Sequence, residues 1–234
     1  MKYWADFNRL TKRYEAIYAV KINKALKDQI EAYIKTGDIN SISGDNISDI
    51  LLDMYKDVGV EWAFQSGKFI RVKKARRPLG FTERLVRLLQ AQYGPDILNM
   101  SSNIEQTTKD QVRATLMMAA DKGWSIDEIT RQLRRTELTT SRARLISRTE
   151  VIGAANAGAM VNAQDLGATT KIWISTIDAR TRDDHKTLDG QRRAFNEPFT
   201  VVDKEGITRS MMQPGDKNGG PAQVCNCRCA VGFE

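Results

Sequence analysis

Three cysteines occupy alternate positions near the C-terminus, Cys225, Cys227 and Cys229, and they are the only cysteines in 234 residues. The only histidine, His185, lies forty residues earlier, between Asp178 and Asp189. Thiolates and an imidazole nitrogen make a normal tetrahedral zinc set. Spacing limits how they can be used. Residues two apart in a strand advance roughly 6.6 Å, whereas two thiolates on one zinc sit roughly 4 Å apart. All three cysteines therefore reach one ion only if the chain bends at Asn226 or Arg228. The best ligand set is His185, Cys227 and Cys229, with Asp178 or Asp189 as a fourth donor to a structural zinc. The competing reading makes the cysteines small buried hydrophobes that lock a terminal strand, with His185 a satisfied hydrogen-bonding residue. Asp178, His185 and Asp189 are also the residue types that metal-assisted phosphodiester cleavage requires. A structural network of Arg180, Arg182, Glu150 and Asp189 accounts for the same region without catalysis.

A second chemistry is electrostatic. The net charge is +7, and it is concentrated in the first 165 residues, which hold 26 Lys+Arg against 20 Asp+Glu. Lys68, Arg71, Lys73, Lys74, Arg76 and Arg77 form a block without an acid, and six arginines between Arg131 and Arg148 face Glu137 alone. Such blocks suit a polyanionic partner, and Lys and Arg contact phosphates without a sequence code. A solvated helix face is the competing reading. The glycines from Gly215 to Gly220 lack the pattern of a phosphate-binding loop.

These residues must be positioned by two kinds of structure. Prolines and glycines crowd into the last third, so the first part reads as helices and the second as strands and loops. Apolar residues at helical spacing predict helices over 2–35 and 46–66, a short one around Leu85–Leu89 ending before Gly94-Pro95, and a long one from Ile97 to Gly123. Ser125 and Glu128 form a capping box, with Trp124 and Ile129 as a hydrophobic staple. A further helix runs from Thr140 to Leu166, and its second half is crowded with small residues that let another element approach closely. Alternation then predicts strands at 171–177, 192–202, 206–211 and 227–233, with Thr181 capping a short helix. The C-terminal strand should pair near 171–177 with its three cysteines on one face. No apolar run reaches the roughly 18 residues that span a bilayer. The N-terminus lacks the apolar stretch of a signal peptide, so the chain is expected to remain in the cytoplasm where it is made.

Residues 140–234 resemble the phage Mu protein F-like family of minor head proteins. The resemblance rests on Arg148-Thr149-Glu150 with Asn156, then Lys171-x-Trp173. It continues through Asp178-x-Arg180-Thr181-Arg182-x-x-His185-x-x-Leu188-Asp189-Gly190 and closes with Pro214-x-Asp216 and Asn226-Cys227-Arg228-Cys229. Cys225 is additional to the usual closing motif. The fold expected is α+β: a mostly helical N-terminal region, 1–139, facing portal and DNA, and a small C-terminal module, 140–234, with a short, mainly antiparallel sheet. The resemblance implies a low-copy virion component of the capsid interior or portal vicinity, assembled in the host cytoplasm, with portal or major capsid protein as partners. It implies a role in head assembly or ejection and no established enzymatic activity. The charge distribution adds non-specific double-stranded DNA as a partner. A metal-dependent nuclease is the rival.

Overall fold

The computed structural model describes residues 2–70, 80–203 and 205–234, with nothing stated of the side chains at 136–138. Of the 68–77 block, Lys68 is exposed, and Arg71, Lys73, Lys74, Arg76 and Arg77 lie outside the described residues.

The helical spacing of Phe7, Leu10, Ile22, Leu26 and Ile30 produces α1, Lys2–Thr36, and these residues are its buried stripe. Gly37 ends it in a left-handed conformation, with its amide on the Tyr33 carbonyl at 2.8 Å. Helix α2, Asp45–Ser66, lies against α1 and buries Leu51, Met54, Val58 and Trp62. Tyr18 of α1 donates to Asp57 of α2 at 2.7 Å. Helix α3, Phe81–Lys122, is one helix of 42 residues, not the two that Gly94-Pro95 suggests. Pro95 provides no amide for the Ala91 carbonyl, which in an isolated helix would favour a break. The buried face is nonetheless continuous through it, with Leu85, Leu89, Ile97, Ser101, Thr108, Val112 and Thr115 in register. Packing along that stripe outweighs the lost bond.

Helix α4, Ile126–Leu133, begins as its sequence requires: the Ser125 hydroxyl accepts from the Glu128 amide at 3.2 Å. Helix α5, Thr136–Asp165, starts four residues earlier than its spacing suggests and is the central element. It packs against α1, α2 and the C-terminal strand. Its small residues do what small residues allow. A Cβ placed on Gly158 would stand 2.0 Å from the Gly59 carbonyl oxygen of α2, so the two backbones touch there.

The period then changes to two. Strand β1, Thr170–Ile174, is shorter than expected because Ser175 turns out of the sheet, its amide held by the Asp189 carboxylate at 2.7 Å. Helix α6, Asp183–Leu188, follows. Its N-cap is Arg182 rather than Thr181, whose hydroxyl turns back to donate to the Thr176 carbonyl. The expected strand over 192–202 is two strands, β2 (Arg192–Ala194) and β3 (Phe199–Val202), interrupted before Pro198 where Glu197 donates to the Ala194 carbonyl. Strand β4, Thr208–Met211, begins after a turn in which Asp203 accepts from the amides of Glu205 and Ile207. Helix α7, Pro221–Val224, is a single turn, and β5, Ala230–Phe233, closes the chain.

The sheet order is β2-β1-β5, all antiparallel, with Trp173 opposite Val231. β3 and β4 form a separate antiparallel pair. The architecture is therefore α+β, with a long helical part followed by a small antiparallel module. Among the described residues a large and a smaller apolar cluster result, beside a third of Ile30, Ile42, Val112 and Leu133. The larger joins the helices to Ala230, Val231 and Phe233. The smaller contains Trp173, Leu188, Phe199, Val201, Met211, Cys227 and Cys229. Among the described residues no helix is long and apolar enough to cross a membrane.

Candidate metal centre and the contacts that hold it

Helix α6 presents His185 and Leu188, three residues apart, on its buried face. The His185 ring meets Trp173 edge-on at 5.3 Å, and Trp173 meets Phe199 at the same distance. Opposite the imidazole lies the cysteine segment. Extended pairing starts only at Ala230, and Asn226 takes a left-handed conformation at φ 57°. The alternation expected for 225, 227 and 229 is broken there. Cys225 is turned to a half-buried position, where its carbonyl accepts from Arg182 at 2.6 Å. Cys227 and Cys229 are buried.

The Cys227 and Cys229 sulfurs stand 3.7 and 3.6 Å from His185 Nδ1. The three donor atoms all lie within 4.8 Å of one another, too close for sulfurs two residues apart on a straight strand. The proposed fourth donors are elsewhere. Asp178 accepts both guanidinium nitrogens of Arg228, at 2.6 and 2.7 Å, and that pairing holds its carboxyl well below the usual range. Asp189 is bound to the Ser175 amide. Asp178 and Asp189 therefore do not join His185 in a catalytic constellation.

The tautomer of His185 follows from its neighbours. Asp184 Oδ2 accepts from Gln223 Nε2 at 2.7 Å, because a carboxylate can only accept. The Gln223 carbonyl oxygen must then face His185 Nε2, 2.8 Å away. Nε2 carries the proton and donates, leaving the Nδ1 lone pair aimed at the two sulfurs. In the metal-free cluster the Cys229 thiol is pulled towards thiolate because Cys227 donates to it, against the effect of burial. The Cys227 proton is held correspondingly tightly by Cys229 and by burial.

Helix α5 fixes this segment from the other side. Buried Asn156 donates to the carbonyls of Pro214 and Cys229, each at 3.1 Å, and its oxygen accepts from the Val231 amide at 2.9 Å. Buried Glu150 binds Lys217 at 2.7 Å. Arg180 lies 3.7 Å from Asp178, and Gly190 closes the turn after α6 with its amide on the Trp173 carbonyl. Each of Glu150, Arg180, Arg182 and Asp189 thus has a structural partner, but they do not partner one another as the sequence reading supposed. Spacing gave no sign of Gln223, Ser175 or Lys217. Lys171 is also fully buried on the Trp173 side of β1, with Nζ 3.8 Å from Met212 Sδ and 5.3 Å above the Phe199 ring. Burial lowers its pKa to about 8.

The arginines between 131 and 148 are largely used internally. Arg131 pairs with Glu128, Arg134 with Glu31 and Arg148 with Glu15. Arg142 reaches the Ile104 carbonyl at 2.6 Å. Arg144 is exposed and lines a groove of about 640 Å³ between α1 and α5.

Comparison with known proteins gives two matches. Residues 110–232 match the family described as Phage Mu protein F like protein. The minor head protein GP7 of Bacillus phage SPP1 is 33% identical over 101 residues, covering 42% of this chain and 31% of that protein. The chain thus spans less than a third of the length of that curated relative. No solved structure matches.

Proposed function

We propose that this chain, which belongs to the family of phage Mu F-like proteins, is a minor head protein that serves in phage head morphogenesis. The observation that carries the reading is that the family match, 110–232, runs from the last part of α3 through α5 and the C-terminal module into β5. The relative named as a minor head protein supports it. In this reading the protein is a low-copy component of the capsid interior near the portal, contacting portal or major capsid protein, and it is not an enzyme. Its C-terminal module is a rigid, self-locking body, since the polar motif residues Asn156, Glu150 and Asp178 are consumed by internal bonds. The helical part supplies the positive charge for handling packaged DNA. Nothing in the site favours the nuclease alternative, because the cation-binding donors are buried and the carboxylates are already engaged.

Quantitative mass spectrometry of purified, DNA-filled heads tests the reading. The chain should be present at a small fraction of the major capsid protein, and its absence from heads would refute the assignment. The DNA role has its own measurement. Binding to duplex DNA should weaken steeply with salt, with a slope of about −0.9 per phosphate neutralised. Replacing Lys73, Lys74, Arg76 and Arg77 by Ala should flatten that slope. An unchanged slope would remove DNA handling from this block and leave it as a docking surface for an acidic head protein.

A further inference from the structure

We propose that His185, Cys227 and Cys229 bind one zinc-class divalent cation, which clamps the C-terminal segment to α6. The donors are chemically suited to it: two sulfurs and an imidazole select a soft or borderline ion over magnesium or calcium. Their geometry is suited too. With Zn–S near 2.3 Å and Zn–N near 2.0–2.1 Å in a tetrahedron, nitrogen and sulfur should be roughly 3.6 Å apart. The two observed distances are 3.6 and 3.7 Å. The imidazole is prepared for the role. Nε2 donates to Gln223, which is itself oriented by Asp184, so the Nδ1 lone pair is fixed on the sulfurs. Metal-binding histidines are characteristically oriented through their other nitrogen in this way.

Charge balance favours the same conclusion. A dication with two thiolates and a neutral imidazole is neutral overall, so burying it requires no carboxylate. Among the described residues no carboxylate joins the group: Asp178 and Asp189 are held elsewhere, and Asp184 is engaged by the His185 amide and Gln223. The Ser175 hydroxyl lies 3.7 Å from the Cys229 sulfur, but it donates to the His185 carbonyl and accepts from Trp173. The protein thus offers three donors among the described residues. The rival state is a metal-free pair of thiols, with one sulfur on Nδ1 and the other turned to Ser175. The clamp would join α6 to a segment about forty residues later without a disulfide, and metal binding would then contribute to folding free energy.

The full chain, purified with reductant and without chelator, provides the test. Elemental analysis should find about one zinc per chain. Exchange with cobalt(II) should produce thiolate-to-metal charge-transfer absorption, lost in Cys227→Ser and Cys229→Ser. Because those variants could fail to fold, the wild-type chain carries an independent readout. Alkylation followed by mass spectrometry should modify Cys225 alone in the zinc form, and all three cysteines after chelation. A folded chain that holds no metal and gives no cobalt–thiolate band would overturn the proposal. So would a chain whose alkylation pattern is unchanged by chelator.

Discussion

Replacing Gly158 by alanine tests the closest contact in the fold. In an unobstructed helix, Gly→Ala stabilises by about 1 kcal/mol. Here the new Cβ would lie 2.0 Å from the Gly59 oxygen, 2.5 Å from its carbonyl carbon and 2.6 Å from its Cα. All three obstructing atoms are backbone, so no rotamer change relieves them. Helices α2 and α5 must move apart by roughly 1 Å, a gap that forfeits a quarter to a half of each contact it opens. Overpacking typically costs about 1–3 kcal/mol and sometimes more. This contact lies at the severe end, so the net loss should be about 2 kcal/mol after the helix-propensity gain. For a chain of this size that lowers Tm by about 4–8 °C. Gly153→Ala is the internal control. It gains the same propensity, and its Cβ meets only the Tyr55 hydroxyl, at 3.1 Å, and the Gly215 oxygen at 3.8 Å. Its Tm should stay within a few degrees of the parent chain. Thermal unfolding followed by circular dichroism measures both. If Gly158→Ala melts at or above the parent temperature, the backbone contact between α2 and α5 is not as described.

Two further outcomes follow from the smaller core. Trp173→Ala removes a fully buried ring packed on His185 and Phe199; denaturant unfolding should show a loss of about 3–5 kcal/mol, and a loss below about 1 kcal/mol would contradict its burial. Lys171 has a folded pKa of about 8 against an ordinary value of 10.5, so between these pH values the unfolded chain binds more protons than the folded one. Stability should therefore rise with pH through that window, by up to about 3 kcal/mol in total. Lys171→Met should abolish this part of the rise and be at least as stable at pH 7; an identical pH profile in the variant would show that Lys171 does not titrate there.

The sequence was most readable where a local rule coincides with what tertiary packing also requires. The apolar stripe of α1 and the Ser125 cap are such cases, and so are the small residues of α5 and the strand beginning near Lys171. It was least readable where a distant contact overrides a local signal. Gly94-Pro95 carries a strong break signal, yet the buried stripe of α3 runs through it. Pro198 divides what alternation suggested was one strand. The charged motif residues stand out in the sequence, but their partners are hidden there. Glu150 binds Lys217, sixty-seven positions away, and no spacing rule links the two.

The histidine–cysteine cluster combines both situations. Its members stand out by rarity alone, and the spacing argument already requires a bend at Asn226 or Arg228. The bend is at Asn226, and it turns Cys225 away from the cluster instead of bringing all three sulfurs together. Asparagine tolerates the left-handed region better than most residues, but tolerance alone would not fix the bend. Helix α5 does so. The Thr149 hydroxyl accepts from the Asn226 amide at 3.1 Å, and Arg148 donates to the Asn226 side chain at 3.3 Å while anchored to Glu15 of α1. Glu150 holds Lys217 in the preceding loop. Three consecutive residues of α5 thus hold the segment that delivers Cys227 and Cys229 to His185. That gives a physical reason for Arg148-Thr149-Glu150 to accompany a cysteine motif nearly eighty positions later: one sets the backbone path, and the other occupies its end.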